Sequence, residues 1–218
     1  MADKRRIFVV DDHPVFREGL VRVLNQEKDL IVCGEAEDAS GTLKAISDAK
    51  PDLVIVDISL DGMNGIDLAK SLRVQMPSLK LLVLSMHPES LHAERALRAG
   101  ANGYVMKKEP GRTLLGAVRQ VLEGKTYVSP ELNERLLQGL AGGAPTPASP
   151  VGTLSNRELE VFRLIGQGVG TRQIADSLSM SMKTVESHRQ HIKEKLQLSS
   201  TTELVQRAIH WIHREENN

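Results

Sequence analysis

Residues 53–65 read LVIVDISLDGMNG. Leu53, Val54, Ile55 and Val56 form an apolar run without the alternation of a strand wetted on one face, so the run reads as a strand buried on both faces. Asp57 stands where the run ends. In open parallel α/β sheets the C-terminal edge of the strands is where ligands and chemistry collect. A strand-ending Asp is also a common turn former, and the stretch by itself leaves both roles open.

The same pattern repeats on either side of it. Upstream lie an apolar run at 7–10, a helix at 14–24 carried by Val15, Leu20, Val23 and Leu24, a strand at 31–33 and a helix at 39–49. Downstream follow a helix at 66–74, strands at 80–85 and 103–106, and helices at 91–99 and 112–122, the last ending at Gly124. Five strand–helix units predict an α/β fold with a doubly wound, five-stranded parallel sheet. Right-handed crossovers then place helices on both faces and gather the strand C-termini along one rim.

After Gly124 the pattern breaks. Residues 130–140 fit one more helix, and 141–152, AGGAPTPASPVG, is small residues, Gly and Pro without charge, the composition of a semi-extended linker. From Thr153 onward only helical periodicities remain, at 156–165, 171–178, 183–196 and 202–213, separated by tight turns. The expected organisation is a first domain over 1–125, a linker over 126–152 with its helix near 130–140, and a small all-α domain over 153–218. Ser155 lies three residues before Glu158, the spacing of a capping box, and Ser181 or Met182 precedes the third of these helices.

The chain of 218 residues carries 28 basic and 28 acidic residues, so no global charge points to nucleic acid or membrane. From Thr153 onward there are 9 basic and 8 acidic residues, and 6 acidic once Glu215 and Glu216 in the tail are set aside. A mildly basic last domain permits DNA binding without requiring it. The one cysteine, Cys33, cannot form an internal disulfide and reads as a buried structural thiol in IVCG. No apolar segment approaches the roughly 20 residues of a membrane helix, and the start MADKRRIFVVDD lacks a signal-peptide core. The expectation is a soluble, cytoplasmic protein with no membrane partner.

Asp11 and Asp12 end the first strand on the same rim as Asp57. Three convergent carboxylates repel one another, and a hard divalent cation such as Mg²⁺ relieves that repulsion by taking oxygen ligands. Ser85 ends the fourth strand, and Lys107 and Lys108 follow the fifth, either within reach of the rim. A cation, a hydroxyl and an ammonium around one carboxylate suit a phosphoryl group in transfer.

Over residues 5–124 these positions resemble the receiver domains of two-component response regulators. The resemblance makes Asp11 and Asp12 the acidic pair, Asp57 the phosphoacceptor, Ser85 the switch hydroxyl, Lys107 the conserved-type lysine and Tyr104 the aromatic that turns inward when Ser85 engages the phosphoryl group. It implies Mg²⁺ held by Asp11, Asp12, Asp57 and the backbone carbonyl of Ser59, with Ser59 and His87 flanking the site and tuning attack by water. One departure stands out: the family usually has proline four residues after the phosphoacceptor, where this chain has Asp61.

In the last domain two short helices and a tight turn precede a longer helix, with Ile174, Ala175 and Leu178 placed to pack on Val185, Ile192 and Leu196. That is helix-turn-helix logic. The outward face of the longer helix carries Lys183, Glu186, Ser187, Gln190 and Lys193; polar groups there suit base edges, and Lys183, Arg189, Lys193 and Lys195 suit phosphates. A merely solvated helix face is the competing reading. Arg157-Glu158, Gly168, Ile174-Ala175, Leu178, Thr184-Val185, His188 and Lys195-Leu196 resemble the LuxR-type helix-turn-helix of the NarL/FixJ regulators over 153–213, which adds Thr184 to the DNA-facing set. Glu186 and Gln190 stand where relatives often carry basic residues, so no base preference follows.

Other features read more simply. Gly166–Gly170, GQGVG, follows a helix and lacks a third glycine at the right spacing, which favours a helix-to-helix turn over a phosphate loop. His188 with His191, and His210 with His213, are spaced like metal pairs, but no Cys or acidic partner set completes a zinc site, which argues against zinc. His87 and His92 read as exposed loop histidines near the rim. The last helix, with Leu204, Val205, Ala208, Ile209, Trp211 and Ile212, offers either a dimer face or the closing side of a four-helix core.

Together these readings point to a transcriptional response regulator. A sensor histidine kinase or small phosphodonor would phosphorylate Asp57, and phosphorylation would promote homodimerisation and binding to double-stranded promoter DNA. RNA polymerase is a further candidate partner. The chain would assist its own phosphorylation and dephosphorylation rather than turn over free substrates. Two alternatives remain: an Mg²⁺-dependent phosphatase using Asp57 as nucleophile, which leaves the helical domain unexplained, and an interaction module whose acidic site is vestigial.

Overall fold

The computed structural model describes residues 4–60, 62–86, 89–141 and 150–216. Asp61, His87 and most of the 141–152 linker, singled out above, lie outside the described residues. The chain divides into two compact units, Met1–Leu137 and Gln138–Asn218.

The first unit alternates β1 (Arg5–Val10), α1 (Pro14–Gln26), β2 (Leu30–Ala36), α2 (Ala39–Ala49), β3 (Leu53–Asp57), α3 (Gly65–Gln75), β4 (Lys80–Ser85), α4 (Glu89–Arg98), β5 (Gly103–Met106) and α5 (Gly111–Leu122). The sheet is parallel with strand order β2-β1-β3-β4-β5. Alternate residues of each strand face opposite layers, as the pleat dictates. Phe8, Val10, Val54, Val56, Leu81 and Val83 face a core shared with α2, α3 and α4 through Ile46, Leu68, Leu72, Ala93 and Ala96. Ile7, Val9, Leu53, Ile55, Leu82 and Leu84 face the core of α1 and α5, with Leu20, Leu24, Leu114 and Val118. All five residues of β3 are buried, the doubly covered strand that the apolar run announced.

The edge strand departs from expectation. β2 is longer than its apolar run, and its residues are mostly half-buried or exposed. Its register against β1 shifts between Ile7 and Phe8, and Cys33 falls in the shift, half-buried, with its Sγ 3.3 Å from the Ile7 carbonyl. The thiol packs against the core without being enclosed by it, because an edge strand has only one neighbour.

Beyond α5 the chain stays on the first unit. The Tyr127 carbonyl accepts the Tyr104 N–H at 2.9 Å, and the Tyr127 N–H donates to Asn102 at 3.0 Å. The Ser129 N–H donates to the Glu89 carboxylate at 2.8 Å, and α6 (Pro130–Ala141) buries Leu132 in the core that holds Tyr104.

The second unit is a 3-10 turn (Pro150–Thr153) followed by α7 (Asn156–Gly166), α8 (Thr171–Ser177), α9 (Met182–Lys195) and α10 (Thr201–Glu216). The Ser155–Glu158 capping box forms at the start of α7, and Ser181 caps α9 by accepting the Thr184 N–H. Ile174, Ala175, Leu178, Val185, Ile192 and Leu196 share one core with Phe162 and Leu204. GQGVG is the turn between α7 and α8, with Gly168 at φ +78°. Among the described residues no helix is long and apolar enough to cross a membrane.

Candidate functional site

The parallel register sets the first site. β1 and β3 run side by side with Val10 opposite Val56, so the residues that follow, Asp11 and Asp57, emerge together at the strand C-termini. Both are 1% exposed, and Asp12 is partly accessible beside them. From the end of β5, Lys107 donates its Nζ to Asp57 Oδ2 at 2.7 Å and pairs with Asp11 Oδ2 at 2.8 Å. The Lys107 N–H donates to the Ser85 carbonyl at 2.7 Å, which aims the chain that carries the ammonium. Of the two lysines open to the sequence reading, Lys107 is the one in the pocket. Its Nζ also sits 4.5 Å from the centre of the Phe16 ring, a cation–π contact at the start of α1.

Ser85 is fully buried at the end of β4 and is hydrogen-bonded to the Tyr104 hydroxyl. Tyr104 is 1% exposed, and burial raises its phenol well above the ordinary value, with Ser85 opposing. The aromatic is turned inward here. Ser59 lies half-buried two residues past Asp57. Gly65, which closes the β3–α3 loop, approaches so closely that a Cβ would lie 1.8 Å from the Asp57 carbonyl oxygen. The glycine ending the opening stretch therefore lets α3 start close against the Asp57 backbone, and Asn64 caps that helix by accepting the Ile66 N–H.

Burial pushes the Asp57 carboxyl up to about 6, against the opposing pull of Lys107 and with Asp11 adding to the rise. One carboxylate oxygen, Oδ1, is buried and accepts no hydrogen bond. Three convergent carboxylates with an unsatisfied buried acceptor oxygen fit a hard divalent cation. Oxygens of Asp11, Asp12 and Asp57 and a His13 nitrogen lie within 4.8 Å of one another. His13 escaped the sequence reading although it directly follows the acidic pair; its Nδ1 is 2.6 Å from Asp12, and its N–H donates to Asp11 at 2.9 Å. Arg17, also unforeseen, donates to the Asp11 carbonyl. His92, read as an exposed loop residue, is fully buried within α4, because the helix turns that position onto the sheet.

The second site is α9. Lys183, Thr184, Glu186, Ser187 and Gln190 are exposed, opposite Val185 and Ile192 in the core. Arg189 and Lys193 are half-buried. Arg189 lies 3.6 Å from Glu186, and Lys195 pairs with Glu158 at 2.6 Å. Gln190 donates to Glu194 at 2.8 Å, and Glu186 accepts from the Thr171 hydroxyl at 3.0 Å, which ties α8 to α9. Burial pushes the Glu158 carboxyl up, but hydrogen bonds from Lys195 and Ser155 outweigh it and hold the group below its ordinary value. Glu158 also corrects the zinc argument: folding sets this acid beside His188 and His191, with candidate ligand atoms of the three within 4.8 Å of one another.

Residues 7–119 match the response regulator receiver domain, and residues 152–208 match the bacterial regulatory proteins of the luxR family. The oxygen regulatory protein NreC of Staphylococcus carnosus (strain TM300) is 35% identical over 94% of this chain and 96% of its own length. A two-component response regulator of the LuxR family from Aurantimonas sp. SI85-9A1 superposes with a TM-score of 0.59 at 32% identity, over 64% of this chain and 99% of its own. RcsB of Salmonella enterica serovar Typhimurium, solved bound to promoter rprA in the presence of phosphomimetic BeF3-, superposes with a TM-score of 0.60 at 26% identity, over 94% of this chain and 98% of its own. A receiver fold joined to a LuxR-type helical domain, matched along nearly the whole chain, means that this protein belongs to the two-component response regulators that act as DNA-binding transcription regulators.

Proposed function

We propose that Asp57 is the residue phosphorylated and that phosphorylation controls promoter binding through α9. The observation that carries this reading is Asp57 itself: a buried carboxylate at the sheet's C-terminal edge, with one oxygen held by Lys107 at 2.7 Å and the other without a partner. The unpartnered oxygen is the nucleophile. It attacks the phosphorus of a kinase phosphohistidine or an acyl phosphate, and the P–N or P–O bond to the donor breaks. The Lys107 ammonium and the Ser85 hydroxyl then bind oxygens of the transferred group. A Mg²⁺ ion held by Asp11, Asp12, Asp57 and the Ser59 carbonyl would neutralise charge on those oxygens.

Ser85 and Tyr104, already joined by a hydrogen bond with the aromatic turned inward, move together when Ser85 engages the phosphoryl group, and this pair is the switch. Residues 1–125 act as the receiver, 126–152 as the connecting segment that carries α6, and 153–218 as the DNA-binding domain. Lys183, Thr184, Glu186, Ser187 and Gln190 address base edges and nearby phosphates, with Lys193 beside them. Arg189 and Lys195 reach phosphates once they exchange Glu186 and Glu158 for DNA. The phosphorylated chain pairs as a homodimer on a two-fold promoter site, as the arrangement of helix-turn-helix half-sites requires. A sensor histidine kinase is the phosphodonor partner, and RNA polymerase is a candidate downstream.

The test is phosphoryl uptake from acetyl phosphate with Mg²⁺, read by intact mass. Wild-type protein should gain one phosphoryl group that hydroxylamine removes, and Asp57→Asn should gain none. Uptake by Asp57→Asn at the wild-type level would assign the acceptor elsewhere.

A further inference from the structure

We infer that Glu158, His188 and His191 form a binding site for a borderline divalent ion of the zinc class in the DNA-binding unit, separate from the acidic pocket of the first unit. His188 and His191 are three residues apart on α9, so both imidazoles project from one side of that helix. Glu158 comes from the first turn of α7, thirty residues earlier in the chain. The three residues can each offer a ligand atom, all within 4.8 Å of one another, and His191 Nδ1 lies 3.9 Å from Glu158 Oε1.

A purely structural role explains part of the cluster. Glu158 closes the capping box, accepting the Ser155 N–H at 2.7 Å, and pairs with Lys195 at 2.6 Å. Both contacts use Oε2, and Oε1 is left on the histidine side. What the structural role leaves unexplained is His188, whose Nδ1 is buried and has no hydrogen-bond partner. A buried imidazole nitrogen without a donor or acceptor is costly, and metal coordination satisfies it. Two imidazoles and one carboxylate are the donors that zinc, copper and nickel favour, whereas Mg²⁺ prefers oxygen alone. Three protein ligands leave a fourth position to water. The charges of Lys195 and Arg157 also act on His188; Lys195 keeps its place on Oε2 when the ion binds through Oε1. The ion would clamp α9, the DNA-facing helix, to the start of α7.

Equilibrium dialysis of the full chain against zinc, with millimolar Mg²⁺ present to occupy the acidic pocket, tests this. Wild-type protein should hold one zinc ion with micromolar affinity, and His191→Gln and His188→Gln should each bind at least about tenfold more weakly. His191 is exposed, so its variant keeps the fold, which circular dichroism checks. His13→Gln should retain wild-type zinc binding. Absence of zinc binding to wild type overturns the site, as does wild-type affinity in His191→Gln. Loss of zinc in His13→Gln would place the ion in the acidic pocket and likewise overturn the proposal.

Discussion

At the scale of single residues, Asp57 is held in a state that the fold tolerates rather than favours. Its carboxyl is pushed up to about 6 by burial, so in the folded protein it takes up protons at a higher pH than the unfolded chain does. The sign follows from linkage: a raised folded value gives a contribution that is full below the unfolded value near 4 and is lost as pH rises through about 6. At neutral pH Asp57 therefore costs stability. The ceiling is about 3 kcal/mol for a shift of about two units, reduced because Asp57→Asn also takes one of two carboxylates from Lys107. Urea melts without divalent cation should find Asp57→Asn about 1–2 kcal/mol more stable than wild type near pH 7, with the gap closing toward pH 4. Millimolar Mg²⁺ should narrow the gap at pH 7 by stabilising wild type alone. A variant less stable than wild type at pH 7 would contradict this account. That Asp57 would be buried was legible from LVIVD, and Lys107 or Lys108 was legible as its partner from their place after the fifth strand; which of the two enters the pocket, fifty residues on, is decided by how β5 ends at the same edge.

At the scale of elements, runs with two covered faces were readable and half-covered ones less so. β3 and β4 declare themselves by unbroken apolar sequence, whereas β2 spans Leu30–Ala36 although its apolar run ends at Cys33, because an edge strand is only partly covered. The inward turn of His92 was invisible because one polar residue in a helical pattern does not say which layer it meets. Long-range ion pairs are equally silent in sequence. Arg119 on α5 grips Asp29 through two bonds of 2.8 Å and Glu27 through one of 2.5 Å, ninety and ninety-two residues away. The Arg119 guanidinium holds Asp29 below the ordinary carboxylate value. A lowered folded value gives stability that is present above the unfolded value near 4 and lost as pH falls through the lower, folded one. Asp29 is exposed and Arg119 and Glu27 are only half-buried, so solvent screening keeps the contribution small. Arg119→Gln should cost about 0.5–1 kcal/mol in urea melts near pH 7, about half that in molar salt, and progressively less as pH falls below about 4. An unchanged cost at pH 3 would mean that lost packing of the arginine stem, not the ion pair, is responsible.

At the scale of the whole molecule, the sequence divides where charge and large apolar side chains vanish, and the cores divide with it. The buried clusters of the sheet end with Leu132, and a separate cluster starts at Val151. Family resemblance was readable from seventeen positions because those positions answer to chemistry at a strand edge or to packing at a tight turn, both of which restrict residue type. The helical unit holds the chain's one tryptophan, Trp211, whose ring centre lies 5.5 Å from that of Phe162. Tryptophan fluorescence therefore follows that core alone, whereas far-ultraviolet circular dichroism follows both. Thermal melts of the full chain should show two transitions by circular dichroism and one by fluorescence. Mg²⁺ with beryllofluoride, binding only at the acidic pocket, should raise the sheet transition by an amount equivalent to about 2.7 kcal/mol at a hundredfold excess over the dissociation constant, and leave the fluorescence transition where it was. Phe162→Ala empties a fully buried site and should lower the fluorescence transition by an equivalent of about 3–5 kcal/mol without moving the other. If both changes instead shifted a single common transition, the two cores would be unfolding as one, and phosphorylation would reach α9 by stabilising a shared fold rather than by altering the association of independent units.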